Sequence, residues 1–475
     1  MNLTRLLSPA WAVRLTRRYV PFADAASAEL PLGRLLRLSL FQLSIGMTMA
    51  LLVGTLNRVM IVELGVPAWW VAMSVALPLV FAPLRALIGY RSDTHPSALG
   101  LRRLPYLWIG TLLMFGGLAI MPFALLLLSL PQGVEVWAGR IGAALAFLLV
   151  GAGMQITQTA GLALASDIAP EDKRPRVVAL LYSTLLAGMI LGSGLLGWVL
   201  TDFSPTRLVQ VVQGAAVVVA VLNVVSLWKQ EARQARRGAR EPDGFSRSWA
   251  RLMAIPKIRR FLWTVGLGTV AFSMQDVVLE PFGGQVLGMD VGLTSSLTAM
   301  SAGGALLAFA LSSRILAGGV DTIRLAARGA LLGLPAFACV IFSAPLQAPW
   351  LFQLGAALIG FAGGLFSVGM LLTAMDLPER ELTGLVLGAW GAVQATAAGV
   401  SMAIGGVLRD VVGGLATGGW LGSALNSPVT GYSFVFHLEI YLLFVVLIAL
   451  GPLVRRRSPA RSRAAYPIGL AELPG

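Results

Sequence analysis

Three ionisable residues, Arg58, Asp276 and Glu280, stand inside long, otherwise apolar stretches of the chain. Asp276 and Glu280 are four residues apart and so share one face of a helix, and Arg58 directly follows Asn57. An arginine and a carboxylate facing each other across a bundle form a charge-assisted pair able to close one end of a pathway. Glu280 is the favoured partner of Arg58, with Asp276 second. The alternative is that each group snorkels separately to the nearest water boundary. Gln155, Gln158 and Gln394 add amides that can bond a ligand or simply a neighbouring helix. His437, next to Glu439, offers one imidazole, either an axial ligand for the metal of a tetrapyrrole or a polar group at a water boundary. No catalytic set accompanies these residues. The chain has no G-x-x-x-x-G-K-[ST] phosphate loop, no H-E-x-x-H and no paired Asp-rich motif. One cysteine, Cys339, excludes a disulfide framework and a thiolate metal site. His95 and His437 are the only histidines, so no histidine metal centre is expected. These residues point to binding or movement of a ligand without enzymatic chemistry.

The elements that must position them are membrane helices. The 475 residues are 57% hydrophobic and 12% charged, with a mean hydropathy of +0.79, against about 25% charged in a soluble domain. A helix needs about 20 apolar residues to cross a bilayer. Spans are expected near 38–62, 67–88, 104–129, 138–165, 177–201, 207–228, 261–286, 291–313, 325–346, 349–375, 382–408 and 433–453. The fold class is therefore an all-α membrane protein of about twelve transmembrane helices. All of the 36 Lys and Arg except Arg58, Arg140, Arg207 and Arg409 fall in alternate loops and the two ends. The positive-inside bias makes that side cytoplasmic, with both termini on it. The net charge of +14 is then a signal of topology and of contact with anionic lipid heads, with no nucleic-acid role. Pro9–Val20 reads as a basic amphipathic helix in the interface, within a cytoplasmic segment 1–36, and no cleavable leader is expected. The polar stretch 229–260 links two six-helix halves, 37–228 and 261–454, and a basic tail 455–475 follows.

The halves echo one another. Ala-Ser-Asp167-Ile-Ala-Pro170-Glu171 follows the fourth span, and Ala-Met-Asp376-Leu-Pro378-Glu379 follows the tenth. Repeated halves are a transporter architecture, with the substrate region between them. Between the second and third spans stand Gly89, Asp93, Arg102 and Arg103. This resembles the loop signature of the major facilitator superfamily, although Thr94–Leu99 lengthen it. The resemblance implies that Asp93 and the arginine pair, with Asp167 and Asp376, form a gate tying the halves together at the cytoplasmic face.

Five stretches carry a closer likeness: Pro21-Phe-Ala-Asp-Ala-Ala, Gly54 to Gly65, Arg85 to His95, Gln275 to Gly284 and Gly388 to Gly399. Together they resemble the PucC/LhaA branch of that superfamily, the light-harvesting assembly proteins of purple bacteria, over about residues 20–455. The LhaA type, serving light-harvesting 1, is favoured over the PucC type, serving light-harvesting 2. The resemblance implies a multi-pass protein of the bacterial inner, photosynthetic intracytoplasmic membrane. It implies a role in bringing bacteriochlorophyll to antenna polypeptides, with the reaction centre and bacteriochlorophyll synthase as further partners. No intrinsic cofactor is expected, and bacteriochlorophyll would be cargo. In that reading Arg58, Asp276 and Glu280 stabilise one conformation, Asn57 joins them as a cavity candidate, Gln155 and Gln394 meet polar edges of the pigment, and His437 is its candidate ligand. Two other roles stay open: a scaffold that moves nothing, and a proton-coupled exporter of small amphiphiles in which Asp276 titrates.

Overall fold

The computed structural model describes residues 31–80, 101, 103–128, 134–170, 174–201, 204–231, 245–317, 319–375 and 383–453, helical almost throughout and without a strand among them. The expected amphipathic helix at Pro9–Val20, most of the 229–260 linker and the basic tail lie outside these residues. The first half contains α1 (Leu32–Glu63), α2 (Ala68–Val80), α3 (Leu104–Leu128), α4 (Val134–Ile168), α5 (Arg174–Val199) and α6 (Pro205–Leu227). A short α7 (Phe245–Ala254) precedes the second half. That half contains α8 (Pro256–Gln285), α9 (Val291–Ala317), α10 (Thr322–Ser343), α11 (Pro349–Met375), α12 (Thr383–Thr417) and α13 (Val429–Leu450).

Eleven of these helices are long and apolar enough to cross a bilayer. The exception among the expected spans is α2, with 13 described residues, since residues 81–100 lie outside the description. Local chemistry sets several starts. Ser204 accepts the Arg207 N–H at 3.2 Å, with Pro205 in the first turn of α6, a proline position that wastes no donor. Asp290 caps α9 by accepting the Leu293 N–H at 2.7 Å. Two helices, α4 and α12, are each 35 residues long. They overrun the spans expected at 138–165 and 382–408 because helical geometry continues past the apolar layer, where hydropathy gives no signal.

Each half has its own buried core. One is built from Leu35, Phe41, Phe147 and Leu181 among others, and the second from Phe261, Phe282, Phe337 and Phe436. Outward-facing residues are apolar too: Trp198, Trp263 and Ile448 are 77%, 76% and 74% exposed. An apolar exterior belongs in lipid. The halves meet along two seams, α2 against α12 and α5 against α9. Counted as spans, these are the second with the eleventh and the fifth with the eighth. Adding six spans to one partner and removing six from the other converts the first seam into the second, as expected of a unit facing its own copy. The α5–α9 seam is close because both residues at the crossing are glycines. A Cβ on Gly197 would lie 2.9 Å from the Gly292 carbonyl oxygen, and one on Gly292 would lie 2.8 Å from that of Gly197.

Arg34 at the start of α1 donates to the Gln230 carbonyl beyond the end of α6 at 2.5 Å. The start of α1 and the end of α6 therefore share one face of the bundle, here the terminal face. The opposite, distal face holds the end of α1 and the start of α2.

Candidate functional site

The first and seventh spans, α1 and α8, both abandon regular α-helix where the functional residues stand. Over Ala50–Leu56 and Val59–Glu63, α1 widens to π-helix, a geometry concentrated at functional sites. In contrast, α8 tightens to a 3-10 turn over Met274–Val277 and resumes at Leu279. The sequence explains part of this break. Pro281 has no N–H to give the carbonyl four residues earlier, so the Val277 oxygen is orphaned. Asn57 supplies the missing donor, its Nδ2 reaching Val277 O at 2.7 Å. On the other side of the break Glu439 of α13, fully buried, accepts the Gln275 N–H at 2.8 Å. The defect in one half is thus healed by an amide from the other half and a carboxylate from its own.

Beside it lie the charged groups. Arg58 is 4% exposed; its Nη1 pairs with Glu63 Oε1 at 2.5 Å and its Nη2 donates to Met289 O at 3.2 Å, on the connection from α8 to α9. Glu280 is also buried and accepts from Thr298 Oγ1 at 2.5 Å. The expected Arg58–Glu280 pair is met only at longer range: the charge of Arg58 acts on Glu280, while among the described residues its direct ion pair is with Glu63, in its own helix. The reason is the π-helix. Its i to i+5 repeat, seen in the Leu64 N–H bond to Val59 O at 3.0 Å, stacks residues five apart on one face, where an α-helix would separate them. Thr55 and Ser295 hydroxyls meet at 3.1 Å across the halves. Gly54 leaves the space for the Glu280–Thr298 bond, since a Cβ there would lie 2.5 Å from Glu280 Oε1 and 2.9 Å from Thr298 Oγ1. Asp276 is half-buried and accepts from Gln275 Nε2 at 2.5 Å.

A second contact lies farther along the same face. Asp410 Oδ2 accepts the Trp69 N–H at 2.7 Å, capping α2 from the opposite half. Arg409 pairs with Asp410, donates to Gln285 Oε1 at 2.5 Å and to Tyr432 Oη at 3.0 Å, and lies 4.5 Å over the Tyr432 ring. The bonds between α1 or α2 and the second half gather at the distal face and hold it shut.

The remaining expected residues sit apart. Arg103 pairs with Asp167 at 3.1 Å, while Glu231 accepts the Arg103 and Leu104 N–H groups at 3.1 and 2.9 Å. These bonds join α3, α4 and the residues that follow α6. Gly89, Asp93, Arg102 and Asp376 lie outside the described residues. Gln155 on α4 and Gln394 on α12 are half-buried, and Gln155 Oε1 has no partner among the described residues. His437 is on the outer surface of α13. An apolar recess of about 360 Å³ opens between α1, α5 and α6, lined by Met47, Leu51, Leu195 and Val211 with Arg207 at its edge. Sequence reasoning missed Glu63, Glu439 and Thr298. A lone acid within an apolar span was the available signal for Glu439.

Solved transporters have this arrangement of helices. A D-xylose–proton symporter matches with a TM-score of 0.67 at 14% identity, covering 89% of this chain and 97% of its own. The nucleoside transporter NupG matches at 0.61 and 15% identity, over 88% and 99%. The fold is that of a multi-pass membrane transporter of the major facilitator type. Within that class, the model of the PUCC protein family matches residues 55–458, and the chain belongs to that family. Protein PucC of Rhodovulum sulfidophilum is 55% identical over 83% of this chain and 89% of its own length. A Rhodobacter capsulatus protein described as uncharacterized, in the puhA-bchM intergenic region, is 52% identical over 99% and 100%. A more distant one, the bacteriochlorophyll synthase 44.5 kDa chain of Rhodobacter capsulatus, is 27% identical over 90% and 97%.

Proposed function

We propose that this protein is an assembly factor for a photosynthetic light-harvesting complex, light-harvesting 1 in preference to light-harvesting 2. It binds bacteriochlorophyll and delivers it to antenna polypeptides, with no chemical step of its own. The observation that carries this reading is that the family match runs from residue 55, near the end of α1, through the last helix of the fold. The site supports it. Buried polar groups such as Asn57 and Arg58 are engaged in joining helices, and the described recess is apolar, which suits a large apolar cargo better than a sugar or an ion. The terminal face is assigned to the cytoplasm by the arginine-rich loops, in the photosynthetic inner membrane. Antenna polypeptides are the partners, and the reaction centre and bacteriochlorophyll synthase stand nearby. Deleting the protein should depress antenna absorbance, and the protein purified from pigment-making cells should carry bacteriochlorophyll. Purified protein free of pigment would overturn the reading.

A second reading, a proton-coupled exporter of small amphiphiles, is favoured by the Asp276, Glu280 and Glu439 carboxylates around the α8 break. A deletion strain with a solute-efflux defect and normal antenna would support it instead.

A further inference from the structure

His437 is a polar ring in a place that gives it no reason to be polar. It is the ninth residue of α13 (Val429–Leu450), about 12 Å along the axis from the first at 1.5 Å per residue. The 22 residues of the helix are about 33 Å long, close to the thickness of a hydrocarbon layer, and the helix is apolar enough to cross one. The residue is exposed on the outside of the bundle, where ionisable groups in membrane helices rarely face. Its neighbours on the same helical face, at spacings of three and four, are Phe434, Tyr441, Phe444 and Ile448. All are exposed, Tyr441 to 65%. The imidazole thus stands on an outward face made mostly of exposed apolar and aromatic side chains.

The ring is also oriented. Its Nδ1 lies 2.7 Å from the Ser433 carbonyl oxygen. A carbonyl only accepts, so Nδ1 carries the hydrogen and donates it. In the neutral ring Nε2 then holds the lone pair, and no described residue bonds it. An imidazole whose far nitrogen donates to a backbone carbonyl is the arrangement that fixes tautomer and ring angle in metal-ligating histidines. The flanking aromatic rings, one turn before and one turn after, suit the faces and edges of a flat macrocycle.

We infer that His437 Nε2 is the axial ligand of a magnesium tetrapyrrole held on the lipid-facing surface of α13, stacked along Phe434 and Tyr441. This rests on the pigment-binding reading above and deepens it: at hand-over the pigment sits on the outside of the bundle, where a neighbouring antenna helix can take it laterally. Hand-over then requires only exchange of one axial nitrogen for another, with no bond made or broken in the ring. Phe434 and Tyr441 are positioning residues.

The test uses the full chain in lipid nanodiscs, titrated with bacteriochlorophyll a and with its magnesium-free counterpart, bacteriopheophytin a. Wild type should bind the magnesium pigment at least about tenfold more tightly than the magnesium-free one, a difference of about 1.4 kcal/mol. His437→Leu should bring the magnesium pigment down to the affinity of the magnesium-free pigment and leave the latter unchanged. Adding imidazole to His437→Ala should restore the five-coordinate magnesium signature in resonance Raman spectra. Because the side chain is exposed, both variants should keep the melting temperature of wild type. Equal binding of the magnesium pigment by wild type and His437→Leu overturns this site while the functional reading stands. Absence of pigment binding by wild type overturns both.

Discussion

The two spans that meet at the distal face, α1 and α8, occupy equivalent places in the two halves and solve the same problem in opposite ways. α1 is loosened into π-helix and uses the extra residue per turn to bring Glu63 under Arg58. α8 is tightened and broken, leaving backbone groups that need partners. The donors of α1 go to the carbonyls of α8 and its following turn, Val277 and Met289. The seal is therefore asymmetric: one half supplies side-chain donors, and the other supplies orphaned backbone acceptors. A strict repeat could not make it, because two identical breaks would leave acceptors facing acceptors. At this point the halves are joined by a divergence of the repeat, beside the two seams along which they pack.

Glycines on these two helices give the sharpest contrast. A Cβ on Gly46 of α1 would collide with the Leu185 backbone carbonyl, whereas one on Gly268 of α8 would meet the Phe366 ring. Backbone cannot rotate away and a ring can. Gly46→Ala should cost about 3 kcal/mol or more, at the upper end for overpacking, and Gly268→Ala clearly less. Thermal melts in detergent will order them, and equal melting points would show that the α1–α5 contact is looser than described.

Next in size is the cap of the break. Glu439→Leu leaves the Gln275 N–H buried without an acceptor, which should cost about 1–3 kcal/mol. Glu439→Gln keeps an acceptor oxygen and should lose much less. A denaturation series in which the two variants fall together would mean that the carboxylate does not support the 3-10 turn. Asn57→Leu acts on the other end of the same defect and should cost a similar or slightly smaller amount. It should also loosen the distal face, read as faster alkylation of a cysteine placed at Thr55 in the variant than in its parent. Unchanged labelling would break the link between this bond and closure.

The smallest effect concerns charge. Glu63 is partly exposed, at 33%, so its coupling to Arg58 should be no more than about 1 kcal/mol. A double-mutant cycle of Arg58→Gln with Glu63→Gln should still exceed the cycle with Glu280→Gln. The reverse order would restore the pairing that the sequence suggests and would remove the asymmetry between the two spans.

Much of the molecule was legible beforehand. The run lengths of apolar residues gave the spans, since a bilayer selects for length and hydropathy irrespective of neighbours. The residues Asn57, Arg58, Asp276 and Glu280 stood out because polarity within lipid is costly; Asn57 and Arg58 bond across the halves, Glu280 lies against Gly54, and Asp276 bonds within its own half. Their partners were not legible. Reading Arg58 with an α-helical ruler hides Glu63, because a π turn changes which residues share a face. Glu439 is 164 positions from Gln275, and only packing of α13 on α8 brings them together. The orphaned Val277 carbonyl follows from Pro281 in the sequence, yet which donor satisfies it depended on another helix.

By itself, then, the sequence determined what the solvent determines: which segments enter lipid, how many, and which polar groups would need partners there. The tertiary structure alone decided who those partners are. Hydrophobic burial is non-directional and scales with area, so it can be read from composition, whereas a hydrogen bond exists only at a particular distance and angle that packing must supply.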